Sequence, residues 1–225
     1  MDGQYPTNSI TDCKDFKASH VVEFDACLTM LERAGRHYFG PDFVINPADY
    51  RVLFLLLVYF YHDLQSAEEY GIDLKKGILL CGPVGCGKTT VMFLMKMLLP
   101  EAEQYTMVST RDVGLEYQRE GYAVIEKYST RSFFFRQGDI RPKTYCFDDL
   151  GLESPISVYG SDTNVMAEIL LGRYPLAISQ RMKTHATTNL SADEFEAIYG
   201  NRVRSRMREL FNLIAFDPDA PDKRS

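Results

Sequence analysis

The sequence predicts an α/β domain built around a parallel sheet, and three observations support this prediction. After Gly71, short apolar runs alternate with longer helical segments, which is typical of parallel strands joined by crossover helices. The first apolar run leads into a glycine-rich loop, and a later one ends in two aspartates. With 225 residues, 45% of them hydrophobic, the chain is long enough to bury a sizeable core. The predicted strands cover residues 77–81, 104–108, 143–147, 184–188 and 212–216.

Residues 1–70 are predicted to form a small helical region ahead of this core. From Phe24 to Leu31 the apolar residues follow helical spacing, and Gly35 offers a stop. A second helix begins at Asn46, which can cap it, and should continue to about Tyr70. The core is predicted to span residues 71–217, and residues 218–225 should form a flexible tail.

The helices of the core are predicted from breakers and caps. Pro100 ends the helix that follows the first strand, and Ser191 with Glu194 forms a capping-box pattern that opens a short helix ending at Gly200. Gly114 and Gly121 interrupt another helical segment. The predicted helices cover residues 88–99, 110–127, 162–173, 191–200 and 201–210.

Charge and composition exclude several classes of function. A net charge of −6 argues against a whole-surface grip on nucleic acid or acidic lipid. The longest apolar run, residues 52–61, is about half of the roughly 20 residues that a bilayer-spanning helix needs. The N-terminal residues resemble no secretory signal, so we expect a cytoplasmic protein with no membrane partner.

The cysteines and histidines do not predict a metal site. The five cysteines are an odd number without C-x-x-C spacing, which fits a reducing compartment and small buried side chains. The four histidines show no ligand spacing for zinc. Any metal should therefore come with a bound phosphate group.

Residues 82–89, GPVGCGKT, match the pattern G-x-x-x-x-G-K-[ST] between a predicted strand and a predicted helix. The glycines let successive backbone N–H groups face an anion, and the helix directs its positive end at the same point. Lys88 should reach the β- and γ-phosphates of ATP, and the Thr89 hydroxyl should coordinate Mg²⁺. The predicted nucleotide-binding residues are Gly82, Pro83, Val84, Gly85, Cys86, Gly87, Lys88, Thr89 and Thr90.

Polar residues at two other strand ends complete a predicted ATPase site. Asp148 is the second predicted magnesium residue, and Asp149 is the candidate for polarising the attacking water. Asn189 follows the strand expected to lie between the other two, where it can touch both the γ-phosphate and that water. The alternative for Asn189 is an ordinary turn residue at a strand end.

Four arginines at alternate positions fall in the last predicted helix. Arg202 and Arg206 lie four apart and share one face, while Arg204 and Arg208 share another. One pair could face a neighbouring subunit and insert a cation into its γ-phosphate site. The alternative is a solvated basic helix whose arginines pair with Glu194, Glu196 or Glu209.

Four segments in order make the sequence resemble the AAA+ ATPases of the DnaC/IstB group, which are helicase loaders and transposition helpers. The segments are residues 82–89, 147–151 (FDDLG), 187–191 (TTNLS) and 199–209 (YGNRVRSRMRE). The resemblance implies a three-layer α/β/α P-loop NTPase fold of the AAA+ (ASCE) type with a five-stranded parallel sheet. It also implies an ATP-dependent homo-oligomer, a helicase, transposase or similar client protein, and single- or double-stranded DNA as a possible ligand.

The resemblance assigns roles to residues that match the family's motifs. Asp148 corresponds to the Walker B metal residue, Asp149 to the second acidic residue, and Asn189 to sensor 1. Arg206 corresponds to the arginine finger, with Arg202 beside it. The sequence departs from larger AAA+ proteins in that we expect no C-terminal lid domain, and residues 1–70 match no recognised partner-binding module.

Residues 127–143 mix five basic residues with four aromatic ones. Basic groups beside stacking rings suit single-stranded nucleic acid. The alternative is a connecting hairpin whose phenylalanines pack under the sheet. Two alternatives to an ATPase also remain at this point: a phosphotransferase acting on a small acceptor, and an adaptor controlled by ATP occupancy with little turnover.

Overall fold

The computed structural model describes residues 23–136, 139–153, 156–158 and 161–224. The chain divides into two compact units. One comprises the residues up to 74 together with 90–104, and the other comprises residues 75–89 and 105–225. The domain boundaries proposed at residues 71 and 218 stay predictions.

The first unit is helical. Its N-terminal helices are α1 (Phe24–Phe39), a short 3-10 helix (Pro47–Asp49), α2 (Tyr50–Phe60) and α3 (Leu64–Glu69). The predicted stop at Gly35 is wrong: α1 continues through it, because the glycine gives the Phe43 ring room to pack against the helix backbone. The predicted single helix to Tyr70 is also wrong. His62 takes a left-handed conformation (φ 53°), and the Asp63 carboxylate caps the next helix by accepting from the Ser66 N–H at 3.0 Å.

The second unit is built on a five-stranded sheet. The strands of the chain are β1 (Gly77–Cys81), β2 (Thr106–Ser109), β3 (Phe133–Arg136), β4 (Asp139–Pro142), β5 (Tyr145–Leu150), β6 (Ile156–Val158), β7 (Ser161–Thr163), β8 (Thr184–Thr188) and β9 (Phe211–Ala215). The sheet has the order β2-β5-β8-β1-β9, and its pairs are parallel. All five predicted strands are confirmed, with ends shifted by up to three residues.

The remaining helices connect these strands. They are α4 (Lys88–Leu98), α5 (Thr110–Glu120), α6 (Ala123–Tyr128), α7 (Val165–Gln180) and α8 (Ala192–Leu210). The predicted helix 110–127 is split at Gly121, whose φ of 66° favours glycine, and the predicted helix 162–173 begins later and continues through Pro175. The capping box of Ser191 and Glu194 is confirmed, and α8 bends at Gly200 where the sequence predicts a helix end.

One face of the sheet carries the core of the second unit. Side chains of α5 to α8 pack there against apolar residues of the strands, including Phe147 and Ala186, both fully buried. The rings of Tyr128, Tyr145 and Phe147 contact one another in this layer. A large apolar cluster on one face is the ordinary way for helices to stabilise a parallel sheet.

Two antiparallel hairpins project from the core, β3–β4 and β6–β7. In β3, Phe134 and Phe135 are 56% and 75% exposed, so the interpretation that these phenylalanines pack under the sheet is wrong. Consecutive strand residues point to opposite faces, so the exposure of both rings shows that each face of this two-stranded hairpin is open at these positions. Among the described residues, no helix is long and apolar enough to cross a bilayer.

Candidate functional site

The glycine-rich loop, the acidic pair and Asn189 all lie at the carboxyl edge of the three central strands. β8 lies between β5 and β1, and its last residue, Thr188, is level with Cys81 of β1 and Leu150 of β5. The loop after β1, the acidic pair in β5 and Asn189 therefore start from one edge. Loops at this edge of a parallel sheet are where ligands bind in α/β folds.

The loop at residues 82–89 has the backbone that a phosphate cradle needs. Gly85 and Gly87 have φ values of 82° and 98°, a left-handed region that side-chain-bearing residues rarely adopt. Cys86 between them is fully buried and supports the loop from below. α4 begins at Lys88, so the N–H groups of its first turn add to those of the loop.

The Lys88 side chain lies inside this loop. It is only 5% exposed, and its Nζ donates to the main-chain oxygens of Gly82 and Pro83 at 2.8 Å each. These two partners are neutral carbonyl groups of the loop itself. A buried ammonium surrounded by inward-facing amides fits a phosphate group, since a buried charge is most stable with an opposite charge nearby.

Thr89, Asp148 and Thr187 form a hydrogen-bonded cluster beside the loop. The Thr89 hydroxyl lies 3.0 and 2.9 Å from the two carboxylate oxygens of Asp148, and the Thr187 hydroxyl donates to the same carboxylate at 2.7 Å. Burial raises the pKa of the Asp148 carboxyl, and the hydrogen bonds from the two threonines oppose that shift. A hydroxyl and a carboxylate this close supply the hard oxygen ligands that Mg²⁺ prefers.

Thr187 is a site residue that the sequence analysis quoted in a motif without assigning it a role. Its hydroxyl also accepts a hydrogen bond from the Asp149 N–H at 2.8 Å, so it fixes both members of the acidic pair. The residue is fully buried in the central strand. The sequence does contain a signal for Thr187: it is a polar residue within a central strand of a parallel sheet, where both faces are buried.

Asp149 stands in an irregular part of β5. The register with β8 shifts between Phe147 and Leu150, and Asp149 has a φ of 59°. Its carbonyl accepts from the Thr110 hydroxyl at 2.7 Å, which holds this conformation. Residues in sparsely populated backbone regions concentrate at functional sites, because the surrounding structure must compensate their cost of about 1–3 kcal/mol.

Asn189 carries a buried polar atom that lacks a partner. Its Oδ1 is inaccessible and makes no hydrogen bond within the described part of the chain. An orphaned buried acceptor is costly, by about 1–3 kcal/mol. The unpaired Asn189 oxygen therefore indicates that a donor from outside the protein, such as a water molecule, binds at this position.

The two predicted arginine-finger residues lie on the second half of α8. Arg206 donates to the Tyr174 hydroxyl at 3.0 Å and to Glu209 Oε1 at 3.1 Å, and its guanidinium stacks 4.3 Å from the centre of the Tyr174 ring. Arg202 is exposed. Arg204 pairs with Glu196, so part of the predicted solvated pairing is present. The role of Arg202 and Arg206 stays a prediction.

The tail after β9 returns to the glycine-rich loop. Phe216 donates its N–H to the Cys81 carbonyl at 2.8 Å, and further along the Lys223 N–H donates to the Gly85 carbonyl at 3.0 Å. The Lys223 Nζ lies 2.6 Å from the Cys86 carbonyl. The sequence analysis assigned no contact to these residues.

Comparisons with known proteins place this geometry in a fold. No protein-family model and no curated protein matches the sequence. Among solved structures, the DnaC helicase loader superposes with a TM-score of 0.52 at 17% identity, over 77% of this chain and 92% of that one. The chain has the fold of the DnaC helicase loader.

The structures of DnaI and of AMPPCP-bound DnaA from Aquifex aeolicus are more distant. DnaI gives a TM-score of 0.49 at 19% identity, over 79% of this chain and 89% of that chain. DnaA gives a TM-score of 0.47 at 13% identity, over 79% of this chain and 49% of the DnaA chain. The superposition on DnaC and the strand order confirm the predicted fold class of an α/β domain on a five-stranded parallel sheet.

Proposed function

We propose that this chain binds ATP with Mg²⁺ and hydrolyses it. The observation that carries the proposal is the cluster of Thr89, Asp148 and Thr187 beside a loop that encloses Lys88. A cation, a hydroxyl and a carboxylate at these positions form the set that holds a magnesium-bound triphosphate in P-loop proteins. Cys86 and the glycines around it would hold the phosphates through their amides.

Each residue has a distinct task in this proposal. Lys88 exchanges its two carbonyl partners for phosphate oxygens, and Thr89 with Asp148 would hold the magnesium. Mg²⁺, when bound, neutralises charge on the phosphate oxygens. Asp149 accepts a proton from the attacking water, and the Asn189 amide fixes the orientation of that water. The orphaned Asn189 oxygen is thereby satisfied.

The first experiment measures free phosphate and nucleotide binding separately. Wild-type protein should release phosphate from ATP, whereas Lys88→Ala should bind no nucleotide. Asp149→Asn should bind ATP with little change and lose turnover by about 10²–10⁴-fold, the usual contribution of a general base. Asp112→Asn, on the exposed surface of α5, is the control. Unchanged turnover in Asp149→Asn would contradict its assigned role.

The same assay distinguishes the two alternative functions. Transfer of labelled phosphate to a small acceptor would identify a phosphotransferase. Turnover no faster than that of Lys88→Ala, with ATP bound, would identify an adaptor controlled by occupancy. We favour hydrolysis because the acidic pair and Asn189 lie at the same edge of neighbouring strands, and the buried Asn189 oxygen has no hydrogen-bond partner among the described residues.

We further propose that the ATP-bound form is a homo-oligomer in which Arg206 completes the neighbouring site, with Arg202 beside it. In this subunit the Arg206 pair with Glu209 is exposed, and such pairs contribute only about 0–1 kcal/mol. Release toward a neighbour would also break the hydrogen bond and the ring contact with Tyr174, which contribute about 1–2 kcal/mol, so contacts in the neighbouring site must replace them. Turnover per subunit should rise with protein concentration, and Arg206→Ala should lose turnover while ATP binding persists. Concentration-independent turnover would contradict assembly.

The β3–β4 hairpin is our candidate contact for single-stranded DNA in the cytoplasm. Residues 131–143 contain four basic residues and one acidic residue, a net charge of +3 in a chain of −6. Phe134 and Phe135 are exposed, and Lys143 Nζ lies 5.1 Å from the Phe134 ring centre. Exposed rings among basic groups suit stacked bases. Double-stranded DNA and a helicase- or transposase-type client protein are the other predicted partners.

Fluorescence anisotropy with a labelled oligonucleotide tests this contact. Phe134→Ala combined with Phe135→Ala should weaken single-strand binding, by about 1–3 kcal/mol per stacked base. The exposed Tyr122→Ala is the control outside the hairpin. Equal affinities for single-stranded oligonucleotide in the variant and the wild type would exclude the hairpin as the contact.

A further inference from the structure

The C-terminal tail contacts the outer side of the phosphate-binding loop through two adjacent residues. Lys223 donates its main-chain N–H to Gly85 and its Nζ to the Cys86 carbonyl, at 3.0 and 2.6 Å. The Asp222 carboxylate packs against the Gly85 backbone so closely that a Cβ there would lie 2.1 Å from Oδ1. The Lys223 ammonium also lies 5.1 Å from the centre of the Phe216 ring. The tail thus fits the loop at a position where only glycine leaves room.

These hydrogen bonds act on the peptide groups that form the cradle. The Cys86 carbonyl, which accepts from the Lys223 Nζ, belongs to the peptide unit whose N–H is that of Gly87. The Cys86 N–H itself donates to the Pro83 carbonyl at 3.4 Å. A cation that binds a carbonyl polarises the peptide and strengthens its N–H as a donor on the opposite side. Lys223 therefore favours anion binding at the Gly87 N–H, on the opposite side of the peptide unit whose carbonyl it contacts.

The charges around this contact are two cations and one carboxylate. Lys223 lies close to the loop: a Cβ at Gly87 would be 3.7 Å from its Nζ. The opposing charge is Asp222, whose Oδ1 also accepts the Arg224 N–H at 2.9 Å. Lys88 adds a second cation on the inner side. The loop thus has the Lys88 ammonium on its inner side, and the Lys223 ammonium beside the Asp222 carboxylate at the tail contact.

We propose that Lys223 is a positioning residue for nucleotide binding, which holds and polarises the loop from its outer side. The proposal rests on the proposed function, since it names a second source of affinity for the same triphosphate or diphosphate. Lys223 contacts the loop and acts through it. It is distinct from Lys88, which lies inside the loop.

The test is calorimetric titration of the full chain with ADP and Mg²⁺, which requires no turnover. Lys223→Met keeps the aliphatic stem and removes the charge, and should weaken ADP binding about three- to tenfold. Lys223→Arg should restore most of the affinity. Arg224→Met removes the adjacent cation of the same tail and should change the affinity less than about twofold.

Two further readouts separate positioning from a structural role. The unfolding temperature without nucleotide should be the same in Lys223→Met and wild type, because Lys223 is an exposed residue. The difference in ADP affinity should shrink at high salt, since screening weakens the interaction of exposed charges. A loss of affinity that salt does not reduce, or that Arg fails to restore, overturns the polarising role.

The outcomes also separate this proposal from the proposed function. If wild-type protein binds ADP and Lys223→Met binds it equally well, only the role of Lys223 is wrong. If Lys223→Met binds more tightly, the tail obstructs the loop and the proposal is overturned. If wild-type protein binds neither ADP nor ATP, the proposed function fails, and the role of Lys223 fails with it.

Discussion

The two ends of strand β8 hold polar groups in opposite conditions. At its amino end, the Thr184 hydroxyl accepts from the Arg173 Nε at 2.7 Å, and the guanidinium is fully buried. At its carboxyl end, the Asn189 oxygen is buried without a partner in the described structure. At the amino end of β8 the Arg173 guanidinium makes five hydrogen bonds, whereas at the carboxyl end the Asn189 oxygen makes none within the described residues.

The hydrogen bonds of Arg173 hold the amino end of β8 in place, and we call this the rigid end. Its other hydrogen bonds go to the Tyr128 carbonyl, the Ser132 hydroxyl, and the carbonyls of Lys143 and Lys183, at 2.8 to 3.1 Å. Burial lowers its pKa to about 9, which leaves the guanidinium protonated at neutral pH. The Arg173 side chain therefore links the two residues that flank the β3–β4 hairpin, Ser132 and Lys143, to the start of β8. Along β8, the polar groups at the amino end are satisfied within the chain, whereas the Asn189 oxygen at the carboxyl end is left for a ligand.

The largest expected effect is at the rigid end. Arg173→Met should lower the free energy of unfolding by about 3–5 kcal/mol, because several buried carbonyls lose their donor at once. The exposed Arg111→Met should change it by less than about 0.5 kcal/mol. Urea unfolding at neutral pH measures both. Similar midpoints for the two variants would mean that the hydrogen bonds of Arg173 contribute little to stability.

A smaller effect should appear on acidification. His185 is fully buried, accepts the Ile78 N–H at Nδ1 (3.1 Å), and has its pKa lowered to about 3 by burial, with smaller contributions from Lys183 and Arg173. The unfolded chain binds a proton below about pH 6.5 while the folded chain does not, so stability falls as the pH drops from 6.5 toward 3. Between pH 6.5 and 5 the loss from this group should reach about 2 kcal/mol.

Unfolding curves at pH 7 and 5 measure this loss. In His185→Gln the stability difference between the two pH values should be smaller than in wild type by about the same amount. The exposed His37→Gln is the matched control and should keep the wild-type difference. An unchanged pH dependence in His185→Gln would show that the buried imidazole is not the group responsible.

The smallest effect on stability is expected at the carboxyl end of β8, which we call the open end because the Asn189 oxygen there lacks a partner among the described residues. Asn189→Ala should change the free energy of unfolding by less than about 0.5 kcal/mol, or raise it, because the substitution removes an unsatisfied oxygen. Asn164→Ala should cost about 1 kcal/mol, since that side chain caps α7 by accepting the Ala167 N–H at 2.9 Å. Turnover should show the reverse order, with Asn189→Ala the more impaired. Equal loss of stability in both variants would contradict the comparison.

The open end was largely predictable from sequence, and the rigid end was not. The glycine pattern and the Asp-Asp at a strand end describe local backbone chemistry, and the strand order places Asn189 between them. Arg173 gave no signal, because an arginine in an amphipathic helix is normally expected at the surface. Its burial depends on the carbonyls of Tyr128, Lys143 and Lys183, which belong to three separate segments that only the folded chain brings together.

Errors in the helical unit have a similar cause. The apolar run of α2 predicts a helix, but its end at Phe60 depends on the left-handed turn at His62 and on the Asp63 cap. Gly35 was read as a stop because glycine commonly ends helices. Its actual use, room for the Phe43 ring, depends on a residue outside the helix. Local preferences cannot predict such contacts.

The position of Lys223 has a practical consequence for handling the protein. A purification tag placed soon after Lys223 would lie beside a side chain that contacts the phosphate-binding loop. Acidic or bulky extensions at that end would compete with this contact and weaken nucleotide affinity in an otherwise intact protein. Affinity measurements on such fusions should therefore be repeated after the tag has been cleaved.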